Sequence, residues 1–249
     1  KNNKENLLLS EIKRLAEKIN YYDNLYYNKN VQEISDYEYD ILRKSLEKLE
    51  KKHPNLVSSE SFLNKVGSRP SKEFNTVKHL APMLSLNNAY NVEEIEKFFD
   101  KIKKYFKKIE ILAETKVDGL SASLRYKSRK IEIALTRGDG AFGEEITDNI
   151  KFVDGVKEYL PESFPNEIEI RGEIFMPKAT FYNLNKEREK RGEQKFSTAR
   201  NAASGSIRQL DPIVTKSRKL KFFGYTVLSD SGFFGNTLTI TREILQKNN

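Results

Sequence analysis

The 249-residue sequence contains no cysteine and no tryptophan, and only two histidines, His53 and His79. The missing cysteine excludes disulfides, a thiol nucleophile and a cysteine-based zinc site. The two histidines lack the HExxH spacing of zinc proteases, and they offer little material for a Ser-His-Asp triad. Any chemistry must therefore depend on Lys, Arg, Asp, Glu, Tyr or Ser.

Long apolar runs are also missing. No stretch approaches the roughly 18 residues that a membrane span needs, and no charged-then-apolar leader opens the chain. We therefore expect a soluble intracellular protein. The hydrophobic share of 37% includes 15 Phe and 12 Tyr, which is enough for a core and excludes wholesale disorder.

The charge balance is moderately basic. Lys and Arg total 44 against 36 Asp and Glu, which gives a net charge of +8 and a pI near 9.3. A solvated surface and an anionic partner explain this excess equally well. Charge alone does not decide between them.

Two helices are predicted at the N-terminus. Ser35 followed by Glu38 is typical of a capping box that opens the second helix, and Pro54 ends it. Each helix has an apolar stripe at helical spacing. The stripe residues are Leu8, Ile12, Leu15, Ile19, Tyr22 and Tyr26 in the first helix, and Tyr39, Leu42, Leu46 and Leu49 in the second. We expect a helical hairpin of about sixty residues.

Residues 57–90 carry Gly, Pro, Ser and Asn and predict an irregular connector. Asn91, with Glu94 three residues later, predicts the start of a third helix. Its apolar stripe consists of Ile95, Phe98, Phe99, Ile102, Phe106 and Ile109. The lysines between them are typical of a solvated helix face.

After residue 110 the apolar period changes from helical to β. Predicted strands are 111–117, 121–126, 131–136, 168–175 and 220–228, and helices are expected at 178–191 and near 202–209. Turns at Asp118-Gly119 and Ser128-Arg129 favour antiparallel pairing. The expected fold class is α+β, with antiparallel sheets and packed helices following the hairpin.

Glu114, Lys116 and Asp118 alternate along the first of these strands, which would put all three on one face with Thr115 and Val117 opposite. A surface charge pair is one interpretation. The other is a lysine nucleophile, which must lose its proton and is helped by nearby cations. Candidate cations, which could also hold phosphate, are Arg137, Arg171, Arg200 and Arg208.

A second strand repeats the polar alternation, because Glu169, Arg171 and Glu173 alternate with isoleucines. Two strands that both present polar faces indicate a shared pocket better than they indicate solvent exposure. The sequence therefore predicts a polar cleft between these strands.

Several motifs occur together in one order: Lys116-Val-Asp-Gly119, Thr136-Arg-Gly-Asp-Gly140, Arg171-Gly-Glu173, the run Ala199–Asp211 and Phe222-Phe-Gly-Tyr225. With Pro82–Leu86 and the hairpin, nearly the whole chain resembles an NAD-dependent DNA ligase of bacterial type. The resemblance implies a nucleotidyltransferase-type domain whose lysine attacks the adenylyl phosphorus of NAD. Nicotinamide mononucleotide (NMN) leaves, and the AMP is later passed to a 5′-phosphate at a DNA nick in replication and repair.

The resemblance also implies roles for single residues. Lys116 would be the nucleophile and Asp118 would orient the site. Glu114 would read adenine, and Tyr225 would stack on it. Arg137 and Glu173 would contact the ribose and its surroundings, and Ser85 and Leu86 would line the nucleotide pocket. Arg200 and Arg208 would contact phosphate or the nick.

The hairpin carries a separate argument. Asp36, Tyr39 and Asp40 lie on one helical face, and Tyr26 ends the first helix. Oxidised nicotinamide is a cationic aromatic ring, which suits aromatic faces and carboxylates. The alternative is that Tyr26 and Tyr39 are ordinary core aromatics. The spacing from Tyr26 to Asp40 resembles the family's nicotinamide-recognition pattern and favours the first interpretation.

The resemblance implies a domain boundary, cofactors and partners. We expect a helical NMN/NAD-recognition domain at 1–66 and an adenylation domain at 67–249, truncated at its C-terminal end. NAD is the expected AMP donor with Mg²⁺ or Mn²⁺, and zinc is expected only in family modules that this chain lacks. The expected partner of the full-length bacterial enzyme is nicked double-stranded DNA. We expect that enzyme to be a cytoplasmic monomer that does not associate with a membrane. Sealing by this piece alone is not expected.

Three alternatives remain open at this point. Gly138-Asp-Gly140-Ala-Phe-Gly143 satisfies the GxGxxG dinucleotide motif, although its surroundings lack an apolar βαβ pattern. An ATP-using ligase or capping enzyme would share Lys116-x-Asp-Gly but has no reason to carry the hairpin. A non-catalytic basic module would bind DNA independently of Lys116, in a salt-sensitive way.

Overall fold

The computed structural model of the chain describes residues 2–28, 33–56, 74–229 and 237–247, without the side chains of residues 2–4, 27, 28 and 36. The predicted domain boundary after residue 66 lies outside these ranges. Within them, no helix combines the length and the hydropathy needed to cross a bilayer.

The N-terminal hairpin is formed by α1 (Asn2–Asp23), extended by a π-helical turn at Asn24–Asn28, and by α2 (Asp36–Lys52). The predicted capping box is confirmed: the Ser35 hydroxyl accepts from the Glu38 amide, and the Glu38 carboxylate accepts from the Ser35 amide at 2.8 Å. Helix α2 ends at Lys52, before Pro54. The predicted stripes meet in a small core of Ile12, Leu15, Ala16, Ile19 and Leu46.

The remaining helices and strands follow in chain order. They are β1 (Thr76–Lys78), α3 (Val92–Lys103), β2 (Leu120–Lys127), β3 (Lys130–Thr136), β4 (Phe142–Glu144), α4 (Thr147–Ile150), β5 (Glu167–Phe175), α5 (Lys178–Lys190), α6 (Ala199–Ile207), α7 (Pro212–Ser217), β6 (Lys221–Leu228) and α8 (Leu238–Lys247). Four of the predicted strands and both later helices are therefore confirmed within a few residues.

The main sheet has the order β3-β2-β5-β6, and each neighbouring pair is antiparallel. Strands β1 and β4 form a separate antiparallel pair. Helix α6 packs on the main sheet with six of its nine residues buried, and its alanines join the strand side chains in one core. The predicted α+β class with an N-terminal hairpin is confirmed.

The predicted strand at 111–117 is wrong. Residues 109–118 have no regular secondary structure, and nearly all of them are exposed. A strand needs a neighbour to accept and donate its ladder hydrogen bonds. In the described part of the chain, no strand pairs with this segment.

The predicted third helix forms as α3, and the Asn91 side chain caps it by accepting from the Glu94 amide at 2.9 Å. None of its residues is buried, however, and Phe98 is 55% exposed. The predicted stripe is helical from Ile95 to Ile102, whereas Phe106 and Ile109 lie beyond the end of α3 at Lys103. The described residues of the chain do not cover the helical part of the stripe.

The glycine-rich turn after β3 does not belong to a dinucleotide fold. It leads into β4, which is antiparallel to β1, and then into α4, which has only four residues. A Rossmann site requires a parallel βαβ unit whose helix begins at the pyrophosphate. The GxGxxG alternative is therefore excluded.

Removal of the capping hydroxyl by Ser35→Ala should lower the free energy of local unfolding of α2 by about 1 kcal/mol, because one helix-end amide loses its acceptor. Hydrogen exchange of the first-turn amides of α2 measures this change. Ser45→Ala is the control, because the Ser45 hydroxyl only donates to the Ile41 carbonyl one turn earlier. Equal effects of the two substitutions would contradict the role of the cap.

Candidate active site

A cleft of about 490 Å³ lies between the hairpin and the main sheet. Most of the sequence-predicted site residues line this one cleft, although they come from distant parts of the chain. They are Tyr26, Tyr39, Asp40, Ser85, Leu86, Glu114, Lys116, Arg137, Glu173, Arg200 and Tyr225. Asp118 and Arg208 do not line it, and the side chain of Asp36 lies outside the described part of the structure.

Lys116 lies in the irregular segment before β2, and Glu114, Thr115 and Val117 line the cleft with it. The predicted two-faced alternation is therefore not observed. The segment is anchored by Gly119, which is buried against the carbonyl oxygen of Ile174 on β5. A Cβ at this position would overlap that oxygen, which explains why the motif needs glycine there.

The two carboxylates that flank Lys116 in the sequence are both paired with arginines. Glu114 binds Arg242 of α8 through two hydrogen bonds of 2.6 and 3.0 Å, and this contact lowers the pKa of Glu114. Asp118 lies 3.2 Å from Arg200. Lys116 itself makes no ion pair within the described residues. The interpretation of this motif as a surface lysine–carboxylate pair is therefore wrong.

The floor of the cleft contains a buried carboxylate, Glu173, which is 5% exposed. Ser121 lies directly opposite on β2, and its hydroxyl donates to Glu173 at 2.8 Å. Burial raises the pKa of Glu173, while Ser121 and the cations Arg200, Lys116 and Arg137 oppose the rise. Two of the four predicted cations, Arg137 and Arg200, thus face this carboxylate.

Tyr225 of β6 lies beside the same pair. Burial raises the pKa of its hydroxyl, and a hydrogen bond with Ser121 counteracts the rise. One serine hydroxyl therefore contacts both Glu173 and Tyr225. Sequence reasoning missed Ser121, because it had assigned the polar residues of this region only to the lysine motif and to β5.

Residues 79–86, which we call the strap, bring Ser85 and Leu86 to the cleft. Backbone amides of His79 and Met83 donate to the carbonyls of Ala141 and Gly140, each at 2.9 Å. Arg171 holds the strap from below by donating to the carbonyls of Ala81 and Pro82 at 2.7 and 3.0 Å. These contacts occupy Arg171, so it does not face the cleft as predicted.

Arg200 contacts the hairpin, because its guanidinium lies 4.9 Å from the centre of the Tyr26 ring. Arg208 donates to Glu144 at 2.6 Å and also bonds Ser204, and it is largely buried. The two arginines predicted to contact DNA thus have internal partners in this structure. Their role at a nick remains a prediction.

The hairpin side of the cleft is built around two carboxylates. Tyr39 donates to Asp23 at 2.6 Å, and burial raises the pKa of Asp23. Asp40 accepts from Asn88 at 2.9 Å and from Tyr90 at 2.7 Å, so the hairpin is bonded to the chain just beyond the strap. Sequence reasoning missed Asn88 and Tyr90, and no pattern in the sequence distinguishes them from other connector residues.

The family resemblance implies a divalent metal ion, but the donors present do not form a site for one. Among the described residues, no group of three or more His, Cys, Asp or Glu side chains is arranged to hold a metal. Glu114 and Asp118 are paired with arginines, and Glu173 bonds Ser121. We therefore derive no chemical step through a metal ion.

Comparison with known families shows which family the chain that forms this cleft belongs to. Residues 71–247 match the model of the NAD-dependent DNA ligase adenylation domain, and residues 5–67 match the DNA ligase-like, N-terminal NAD+-binding domain. The chain belongs to the NAD-dependent DNA ligase family. This confirms the resemblance and the nucleotidyltransferase-type domain expected from the sequence.

Among curated proteins, this ligase-family chain is similar to the DNA ligases of several bacteria. It is 42% identical to that of Rhizobium etli over 221 residues and 44% identical to that of Bradyrhizobium sp. over 220 residues, which is 87% and 86% of this chain and 31% of each relative. The DNA ligase of Thermoanaerobacter pseudethanolicus is 42% identical over 236 residues, 95% of this chain and 35% of the relative. The chain spans about a third of the length of these relatives.

The buried carboxylate of this ligase-family cleft should destabilise the fold at neutral pH. Because the pKa of Glu173 is raised in the folded state, ionisation costs stability as pH rises from its ordinary value of 4.5 through the raised value. Glu173→Gln should therefore increase the urea midpoint at pH 7, and the gain should vanish below about pH 4.5. A gain that grows toward low pH would contradict the assignment.

Proposed function

We propose that this chain is the part of an NAD-dependent DNA ligase that takes AMP from NAD. The observation that carries the proposal is the single cleft that holds Lys116 between the hairpin's aromatic and carboxylate face and the polar floor of the sheet. NAD has a cationic nicotinamide half and an adenosine half, which such a two-sided cleft suits.

In the proposed step, the neutral Lys116 amine attacks the adenylyl phosphorus of NAD. A P–N bond forms, and the P–O bond to the bridging oxygen breaks. NMN leaves with that oxygen as a phosphate monoester, and the proton that the attacking nitrogen loses passes to solvent. Lys116 makes no ion pair with a carboxylate among the described residues, and Arg137 and Arg200 face Glu173 in the same cleft as cations for the phosphate charge.

The adenosine half is assigned to the sheet side. Glu173, with Arg137, would contact the ribose, Tyr225 would stack on the base, and Ser85 and Leu86 of the strap would close the pocket. The geometry supports this grouping, because Arg137 donates to the Ser85 hydroxyl at 3.5 Å and faces Glu173. Glu114 would read adenine after exchanging its contact with Arg242.

The nicotinamide half is assigned to the hairpin. Tyr26 and Tyr39 would provide aromatic surface, and Asp36 and Asp40 would provide negative charge for the cationic ring. This side distinguishes NAD from ATP, because the triphosphate of ATP is anionic and would be repelled by carboxylates.

Later steps belong to the longer protein. We infer that the full-length enzyme passes AMP to the 5′-phosphate at a nick in double-stranded DNA and then seals it, in replication and repair in the bacterial cytoplasm, as a monomer. The names and the bacterial sources of the relatives support this inference. We expect this chain alone not to seal nicks.

Incubation of the chain with NAD should increase its intact mass by one adenylyl group, and incubation with ATP should not. Lys116→Arg should abolish the gain, because a guanidinium stays protonated and offers no lone pair. Lys127→Arg, an exposed lysine at the end of β2, is the matched control. Calorimetric binding of AMP and of NMN is measured in parallel. A folded chain that gains no AMP and binds neither nucleotide would refute the assigned cleft, and so would adenylation that survives Lys116→Arg.

The hairpin should decide nucleotide choice. Asp40→Ala should weaken NMN binding by about tenfold or more, because it removes a charged acceptor, and it should leave AMP binding nearly unchanged. Glu47→Ala is the control on the same helix, since Glu47 pairs with Lys51 and does not line the cleft. In a longer protein, unchanged self-adenylation by NAD in both Asp40→Ala and Tyr39→Ala would show that the nicotinamide role is wrong.

A further inference from the structure

Asp40 is held by two donors from a different part of the chain. Its Oδ2 atom accepts from the Asn88 amide at 2.9 Å and from the Tyr90 hydroxyl at 2.7 Å. The Asn88 amide also donates to the Tyr90 hydroxyl at 3.1 Å. These three side chains, which we call the Asp40 clamp, join the hairpin to the segment that follows the strap.

The clamp uses only one oxygen of the carboxylate. Oδ1 of Asp40 has no hydrogen-bond partner in the part of the chain that the structure describes, and Asp40 lines the cleft. Two donors on Oδ2 fix the plane and direction of the carboxylate, so Oδ1 is presented in one orientation. Charge-assisted hydrogen bonds of this kind are strong and directional.

Tyr90 is itself fixed by its surroundings. Its backbone amide donates to Glu94 at 3.0 Å, and its ring meets Tyr37 of α2 edge-on with centroids 5.2 Å apart. The Lys44 ammonium lies 5.5 Å from the centre of the ring and 3.5 Å from Glu94. The hydroxyl that contacts Asp40 therefore belongs to an ordered cluster at the interface between the hairpin and the rest of the chain.

We propose that Asn88 and Tyr90 are positioning residues that orient Asp40 toward the nicotinamide half of NAD. This inference rests on the proposed function. Oδ1 can accept from a carboxamide N–H or face a cationic ring, and nicotinamide offers both groups. Because Asn88 and Tyr90 follow Ser85 and Leu86 by only a few residues, the same segment contacts the two assigned halves of the dinucleotide site.

The clamp also disfavours the competing nucleotide. A carboxylate fixed toward the space beyond the adenylyl phosphate repels the further phosphates of ATP, whereas a freely rotating one could turn away. Asn88 and Tyr90 would therefore sharpen the choice of NAD by fixing Asp40, and Tyr90 does so without lining the cleft itself.

The test uses the whole chain and compares NMN binding with AMP binding by calorimetry. Tyr90→Phe keeps the ring that packs on Tyr37 and under Lys44 and removes only the hydroxyl. We expect the Kd for NMN to rise about tenfold, the usual effect of losing a hydrogen bond to a charged group, and the Kd for AMP to change less than about twofold. Tyr37→Phe is the matched control, because it removes a hydroxyl from the same cluster outside the clamp, and it should leave both constants unchanged.

A second variant tests the same point on the other donor. Asn88→Ala removes the amide that donates to Asp40 and adds no charge, so it should weaken NMN binding about as much as Tyr90→Phe, again with AMP binding preserved. In a form of the protein that self-adenylates, Tyr90→Phe should raise the KM for NAD more than it lowers kcat.

The outcomes separate this inference from the proposed function. If the unsubstituted chain binds AMP and NMN and Tyr90→Phe binds NMN equally well, the clamp has no positioning role and the inference is overturned. It is also overturned if a folded Tyr90→Phe chain loses AMP and NMN binding equally, because that is a structural effect. If the unsubstituted chain binds AMP but not NMN, the nicotinamide assignment fails first, and the inference fails with it.

Discussion

The cleft depends on one buried arginine. All three nitrogens of the Arg171 guanidinium are used: two donate to strap carbonyls, and the third donates to Glu169 at 2.7 Å. Arg171 and Glu169 are almost fully buried, with side chains 11% and 4% exposed. A buried ion pair adds little net stability, because desolvation offsets the attraction. Its effect here is geometric, since it attaches an irregular segment to the sheet at one position.

The other half of the site follows from that attachment. The strap brings Ser85 and Leu86 to the cleft, and the chain then reaches Asn88 and Tyr90, which bond Asp40 of the hairpin. The hairpin is thus oriented through a short segment that begins at the sheet. The proposed dinucleotide site needs two halves at a fixed separation, and this continuous path from β5 to α2 would provide it.

The sequence predicted the elements that depend on local patterns. The stripes of α1 and α2, the cap at Ser35 and the position of β5 are read from neighbouring residues, and the structure confirms them. It did not predict outcomes that depend on distant partners. Residues 111–117 alternate like a strand but have no neighbour to pair with among the described residues, and Arg171 was read as a site cation although strap carbonyls occupy it. The family motifs recovered most of the cleft because they record such long-range arrangements residue by residue.

The arrangement of charge around Lys116 connects the fold to the chemistry. A lysine between two acids in sequence would normally be held as an ammonium by one of them, which would make it a poor nucleophile. Here Glu114 pairs with Arg242 and Asp118 pairs with Arg200 instead, and both arginines lie far along the chain from Lys116. The remaining carboxylate near the lysine, Glu173, is buried, and burial raises its pKa, while Ser121, Arg200, Lys116 and Arg137 oppose the rise. In the proposed site, Arg200 lines the cleft and can exchange its carboxylate for a phosphate, because both anions suit a guanidinium. The fold therefore pairs Glu114 and Asp118 with arginines before a nucleotide binds, and neither pair uses the lysine.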